Sequence, residues 1–338
     1  MSKGPFASQG TSLASSPAAC DTSRVTDDAG TFTVGDDDAG TRLDVVLVRR
    51  VPGLSRAKAR ALSEEGAVRV NGRRARKGAV VTAGDVVSLA RPSPASSLAA
   101  LPDASLALRI LYEDAHFVVV DKDAGVPSHP LRPDELGTVA NALVARYPEM
   151  AGVGYGPREP GLVHRLDTDT SGVLLAARDS RTFAALREAL RAGAIRKRYV
   201  ALVEGSLVAP TTLTYPLATH PRDPRRVLAC VEERDAVRLR ARDATTHLLE
   251  AESIGAFSRV LVEAPVAGRH QIRAHLAAAG HPLVGDRLYG GPAVSGLSRH
   301  FLHAFSLDFP HPFRGATIHV EAPLHADLAA ALAAARTG

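Results

Sequence analysis

A charged loop lies between two apolar segments of this 338-residue chain, Leu162-Val163 and Val173-Leu174-Leu175. It reads His164-Arg165-Leu166-Asp167-Thr168-Asp169-Thr170-Ser171-Gly172. Its position puts Asp167 at an ordered, partly buried turn. A carboxylate there requires a cationic partner or hydrogen bonds, because an unpaired charge is costly to remove from water. By chemistry alone Asp167 can act as a nucleophile, as a general base or as a cap for the turn. Asp169 reads as a solvated loop residue. His164 reads as a group that shapes the loop through hydrogen bonds. The thirteen histidines include no HExxH spacing, and His300 and His303 read as surface or packing residues. The only cysteines, Cys20 and Cys230, cannot build a disulfide framework or a zinc knuckle. Gly152-Val153-Gly154-Tyr155-Gly156 lacks the strand-turn-helix setting of a nucleotide site. No metal and no cofactor is expected.

The second chemistry is electrostatic. The net charge of +5 is modest, but it is unevenly spread. Residues 1–40 carry two basic and six acidic side chains, whereas residues 41–90 carry eleven basic and four acidic. Within that block Arg56, Lys58 and Arg60 share one short helical segment, and Arg73, Arg74, Arg76 and Lys77 follow a hairpin turn. Packed together, the two groups form one cationic face suited to phosphates. The competing reading is a solvated basic surface.

These residues need elements to hold them. Residues 1–40 are rich in Ser, Thr, Ala, Gly and Asp, and are expected to be a disordered acidic tail, with Asp36, Asp37 and Asp38 solvated. In 41–90, Leu43, Val46 and Leu47 fall at helical spacing, and Pro52-Gly53 ends that helix. Ser55 is the expected N-cap of a second helix, which closes at Gly66. Strands at 67–70 and 86–89 flank the Asn71-Gly72 turn and Val80-Val81. The result is a compact ααβ unit. Residues 91–105 read as a linker. From 106 to 338, strands (117–120, 172–177, 258–263) alternate irregularly with helices (138–147, one capped by Ser180, 271–279, 326–336). That pattern implies an α+β domain with a mixed, largely antiparallel sheet. No apolar run is long enough to span a membrane, and no secretory signal is seen, so a cytoplasmic location is expected.

The basic block is similar to the S4-type RNA-binding domain, through Arg42-Leu43-Asp44, Leu54-Ser55-Arg56, Gly66-Ala67-Val68-Arg69-Val70-Asn71-Gly72 and Gly84-Asp85. The remainder resembles the RluA family of pseudouridine synthases. The resemblance rests on the His164 to Gly172 loop, on Val118-Val119-Val120-Asp121-Lys122 with Gly125, and on Lys197-Arg198-Tyr199. His220-Pro221, Gly268-Arg269-His270-Gln271-Ile272-Arg273, Gly280-His281-Pro282, Gly285-Asp286, Leu302-His303-Ala304 and Ala322-Pro323-Leu324 extend it. Two departures stand out: Asp123 replaces the usual Pro, and the turn before His270 is one residue short.

The resemblance implies an isomerase that breaks the N-glycosidic bond of uridine in structured RNA and rejoins the base through carbon. It implies Asp167 as nucleophile, Arg273 as the cation beside it and Tyr199 as the ring that stacks on uracil. Arg165 would fill the space of the extruded base, with His164, Lys122 and Arg269 at the substrate and Arg42 among the RNA contacts of the first domain. Large-subunit rRNA is the favoured substrate and tRNA a possible one; no membrane or obligate protein partner is expected. The alternative is a non-catalytic RNA-binding or ribosome-assembly protein. A small-subunit synthase family shares the basic domain but usually has Gly at the position of His164.

Overall fold

The computed structural model describes residues 28–337 except 52–53, 55, 65, 76–77 and 91–97. It divides into two compact units, 1–94 and 95–338.

The first unit contains strands β1 (Asp28–Thr33), β2 (Val68–Val70), β3 (Arg73–Arg74) and β4 (Val86–Ala90), with helices α1 (Leu43–Arg50) and α2 (Arg56–Glu64). Its antiparallel sheet has the order β1-β4-β2-β3. Leu43, Val46 and Leu47 of α1 are buried against Ala59, Val68, Val81 and Val87, as their spacing requires. Asn71 and Gly72 have φ of 50° and 74°, the positive values that a two-residue hairpin turn demands. Asn71 also accepts from the Val86 N–H at 2.8 Å, tying the turn to β4.

The expected disordered tail is corrected for residues 28–40. β1 pairs along β4, and Val34 is buried in the unit's core. Asp38 is 3% exposed and receives Arg49 at 3.3 Å and Arg50 at 2.8 Å. Two cations on the last turn of α1 compensate a carboxylate that composition alone assigns to solvent. The expected Ser55 cap lies outside the described residues.

The second unit begins with residues 98–105, which are packed rather than linking. Ala100 N–H donates to Pro157 O at 2.8 Å, and Asn141 Nδ2 donates to Leu101 O at 2.7 Å. Strands β5 (Arg109–Glu113), β6 (Phe117–Lys122), β7 (Ser171–Ala177), β8 (Arg196–Glu204), β9 (Thr211–Leu213), β10 (Leu217–Thr219) and β11 (Val227–Ala229) follow. The rest are β12 (Thr246–Ile254), β13 (Phe257–Glu263), β14 (Leu302–Pro310) and β15 (Thr317–Glu321). The helices are α3 (Val139–Arg146), α4 (Ser180–Arg191), α5 (Glu233–Leu239), α6 (Gln271–Ala278) and α7 (Ala326–Thr337).

Among the described residues the main sheet has nine strands, in the order β5-β6-β7-β14-β8-β13-β12-β9, with β15 also on β14. Every pairing is antiparallel except β7 with β14. β6 is buried throughout because both faces of the sheet are covered. Val118 and Val120 pack with Leu143 of α3 and Leu276 of α6. Phe117 and Val119 point the other way, to Phe183, Leu186 and Leu190 of α4. Leu328 and Ala331 of α7 pack with Val200 and Leu202 of β8.

α3 starts where expected, with Thr138 as a capping box to Asn141. α4 differs by one residue: Asp179, not Ser180, is the cap, its Oδ1 accepting from Thr182 N–H at 2.8 Å. The carboxylate outcompetes the hydroxyl because its reach fits the first free N–H groups of the helix. No helix among the described residues is long and apolar enough to cross a membrane.

Candidate active site

The loop preceding β7 is fixed by backbone contacts from several directions. Ser128 Oγ donates to Leu166 O at 2.8 Å and accepts from Leu166 N–H at 3.1 Å. Arg299 donates to Asp169 O at 2.9 Å and to Ser171 Oγ at 3.1 Å, while Asp327 holds its other edge. His300 meets Thr170 Oγ1 at 2.8 Å, and His303 meets Ser171 Oγ at 2.9 Å, so both are packing residues.

Lys122 corrects an expectation. It is 1% exposed, and its ammonium donates to Asp123 O, Val126 O and Thr168 O at 2.8, 2.7 and 2.8 Å. Burial pulls its pKa down to about 7, yet all three of its protons have carbonyl acceptors, the arrangement of the charged form. It pins the loop and has no proton left for a substrate.

Arg273, on the first turn of α6, brings the cation. Its Nε and Nη2 donate to Asp286 at 2.7 and 2.9 Å, and Nη1 reaches Asp167 Oδ2 at 3.2 Å. The guanidinium carbon lies 5.1 Å from the centre of the Tyr289 ring. Asp286 thus aims the fork, and Asp167 receives the remaining donor. His270 Nε2 stands 3.8 Å from the same carboxylate oxygen, and its Nδ1 meets the Tyr289 hydroxyl at 3.1 Å. Burial pushes the His270 pKa down, so the imidazole is neutral and adds no second charge.

Asp167 keeps 23% of its side-chain surface open. Asp167, Arg273, Tyr199 and Arg165 line one cleft of ≈ 330 Å³, closed by Ile272 and Leu302. Tyr199, on β8, is 4% exposed, and burial, followed by the charge of Asp167, pushes its phenol pKa up. A protonated ring beside a fixed carboxylate suits stacking on a flat, neutral base. Arg165 is exposed at the rim, 3.1 Å from His129 Nε2.

Two other expected substrate residues lie outside that cleft. Arg269 donates to Pro224 O and Arg225 O at 3.0 and 2.6 Å, and it lines the wider groove of ≈ 900 Å³ that also contains Asp167. The shortened turn is accommodated by a left-handed His270, φ 52°. His164 Nε2 accepts from Leu175 N–H at 3.3 Å, facing away from Asp167's cleft. Asp123, in place of the usual Pro, pairs with Arg109 at 2.5 Å. Ser128 and Arg299 carried no sequence signal, because each acts on the loop's backbone from 38 and 130 residues away.

In the first unit, Arg42 and Arg60 both bind Asp44, at 3.0 and 3.1 Å, so part of the expected basic face is internally compensated. Arg56, Arg73 and Arg74 are exposed. Arg76 and Lys77, and the side chain of Lys58, lie outside the described residues.

The RNA pseudouridylate synthase family pattern matches residues 116–278, and the S4 domain matches 41–87. Ribosomal large subunit pseudouridine synthase D of Xanthomonas campestris is 36% identical over 316 residues, covering 90% of this chain and 91% of that protein. An uncharacterized RNA pseudouridine synthase of Chloroflexus aurantiacus is 40% identical over 289 residues, covering 85% and 87%. The structure of human RNA pseudouridylate synthase domain containing 4 matches with a TM-score of 0.51 at 21% identity, over 68% of this chain and 93% of that one, a likeness of fold. The chain belongs to the RluA family of RNA pseudouridine synthases and carries an S4 RNA-binding domain.

Proposed function

We propose that this enzyme converts specific uridines of large-subunit rRNA to pseudouridine, with Asp167 as nucleophile. The carrying observation is a partly open carboxylate held by one arm of a guanidinium whose other arm is locked to Asp286. Arg273 donates to the carboxylate, so its orientation is set before substrate arrives. Asp167 bonds to the ribose carbon as N1 of the uracil leaves with the glycosidic electron pair. The uracil turns within the cleft, C5 displaces Asp167 from that carbon, and the proton lost from C5 is matched by one gained at N1. Tyr199 supports the uracil by stacking. Extruding the nucleotide costs a few kcal/mol, which stacking on Tyr199 and filling of the vacated position by Arg165 offset. The basic S4 domain supplies phosphate contacts. Large-subunit rRNA is favoured because relatives spanning both domains bear that substrate in their names. The test is pseudouridine mapping of RNA from a deletion strain carrying either the wild-type gene or Asp167→Asn. Sites restored by wild type and not by Asp167→Asn support the reading; identical maps overturn it.

A further inference from the structure

Beside the Asp167 cleft lies a second cleft of ≈ 800 Å³, which shares Arg165 and Ala267 with it. Its wall holds Lys197, Arg187, Arg191 and His164. Lys197 is 4% exposed, and among the described residues no carboxylate or hydrogen-bond acceptor meets its ammonium. Arg187 spends Nη1 on Val163 O at 2.7 Å, and its Nε is buried without an acceptor. His164 takes a backbone N–H on Nε2, and burial, then Lys197, pushes its pKa down to about 3. The neutral ring therefore carries its proton on Nδ1, which is also buried without an acceptor. Glu159, the one acid in this wall, is engaged by His129 at 3.1 Å and Arg165 at 3.8 Å. Arg191 pairs with Glu188 and stands 3.5 Å from the Tyr155 hydroxyl.

An ammonium with no acceptor, in a cleft whose wall also carries Arg187 and Arg191, calls for an anion rich in oxygens. Lys197 and Tyr199 are two residues apart on β8, on the same face of the strand and one repeat from each other. We infer that Lys197, Arg187 and Arg191 form a phosphate pocket for the RNA backbone, gripping a phosphodiester next to the nucleotide that enters the Asp167 cleft. The pocket would fix the strand so that the extruded base meets Tyr199 in register. This inference rests on the proposed RNA substrate.

The test is equilibrium binding of the full chain to a large-subunit rRNA transcript across a KCl series, for wild type, Lys197→Met and Arg191→Gln. Each lost phosphate contact should flatten the slope of log K against log salt by about 0.7–0.9. For Lys197→Met, affinity should fall about tenfold while the thermal midpoint holds or rises, because a buried unpaired cation has been removed. A purely structural Lys197 predicts the reverse, a lower midpoint with an unchanged slope. Flattened slopes in both variants support the pocket; a wild-type slope in either overturns it. Should Lys197→Met fail to fold, Arg191→Gln on the helix surface decides by the same criterion. Pseudouridine mapping on the same transcript reads the proposed function separately. RNA bound through the pocket but left unmodified by wild type overturns that function and leaves the pocket standing.

Discussion

Asp167 owes its position to a cation that is itself held from behind. Arg273 offers three donors in a rigid fork, two to Asp286 and one to Asp167. Lysine would keep the charge and lose the fork. Arg273→Lys should therefore lower kcat/KM by about 10²-fold, the scale of a misaimed reacting group, with RNA affinity little changed. Single-turnover kinetics on the rRNA transcript would show this; a wild-type rate would mean that charge alone suffices. That Asp167, Tyr199 and Arg273 gather at one cleft was legible, because the motifs that carry them point to a common site. Lys122 was legible as a motif residue and misread as a substrate contact, since a sequence does not reveal that all three of its protons end on carbonyls.

At the scale of elements, β7 and β14 set the tightest requirement. Gly172 has φ of 111°, and a Cβ there would meet Ala304 O at 2.2 Å across the parallel pair. Gly172→Ala should destabilise the enzyme by about 2–4 kcal/mol through overpacking and backbone strain. A lowered urea midpoint at unchanged m-value would register it; an unchanged midpoint would show that the pair can part at no cost. Helices were read well wherever periodicity and caps coincide, as at Thr138 for α3. β1 was missed because Thr31, Phe32, Thr33 and Val34 are short and diluted by a polar segment. Its partner strand lies more than 50 residues onward, and no local signal reports that pairing. The nine-stranded order was likewise invisible, since it depends on β14 entering between strands formed much earlier in the chain.

For the molecule as a whole, buried histidines should govern acid stability. Burial holds His164 at about 3, His303 at about 4 and His300 well below 6.5. An unfolded chain protonates each near 6.5, so between there and about 4 the unfolded state binds more protons. Stability should thus be full above about pH 6.5 and fall by a few kcal/mol on going down to pH 5. Urea midpoints at the two pH values measure this; equal midpoints would mean that these rings reach solvent. In the first domain, Arg56→Ala and Arg73→Ala should each flatten the salt slope of RNA binding by about 0.7–0.9 while leaving single-turnover chemistry unchanged. Filter binding across a salt series checks it, and parallel slopes would remove those arginines from the RNA face. The central placement of β14 has a consequence for synthesis. It pairs with both β7 and β8, and Arg273 follows Asp167 by 106 residues. Until residue 310 has left the ribosome, the growing chain cannot close its sheet. The Asp167 cleft, which Leu302 of β14 helps to line, therefore assembles late in synthesis.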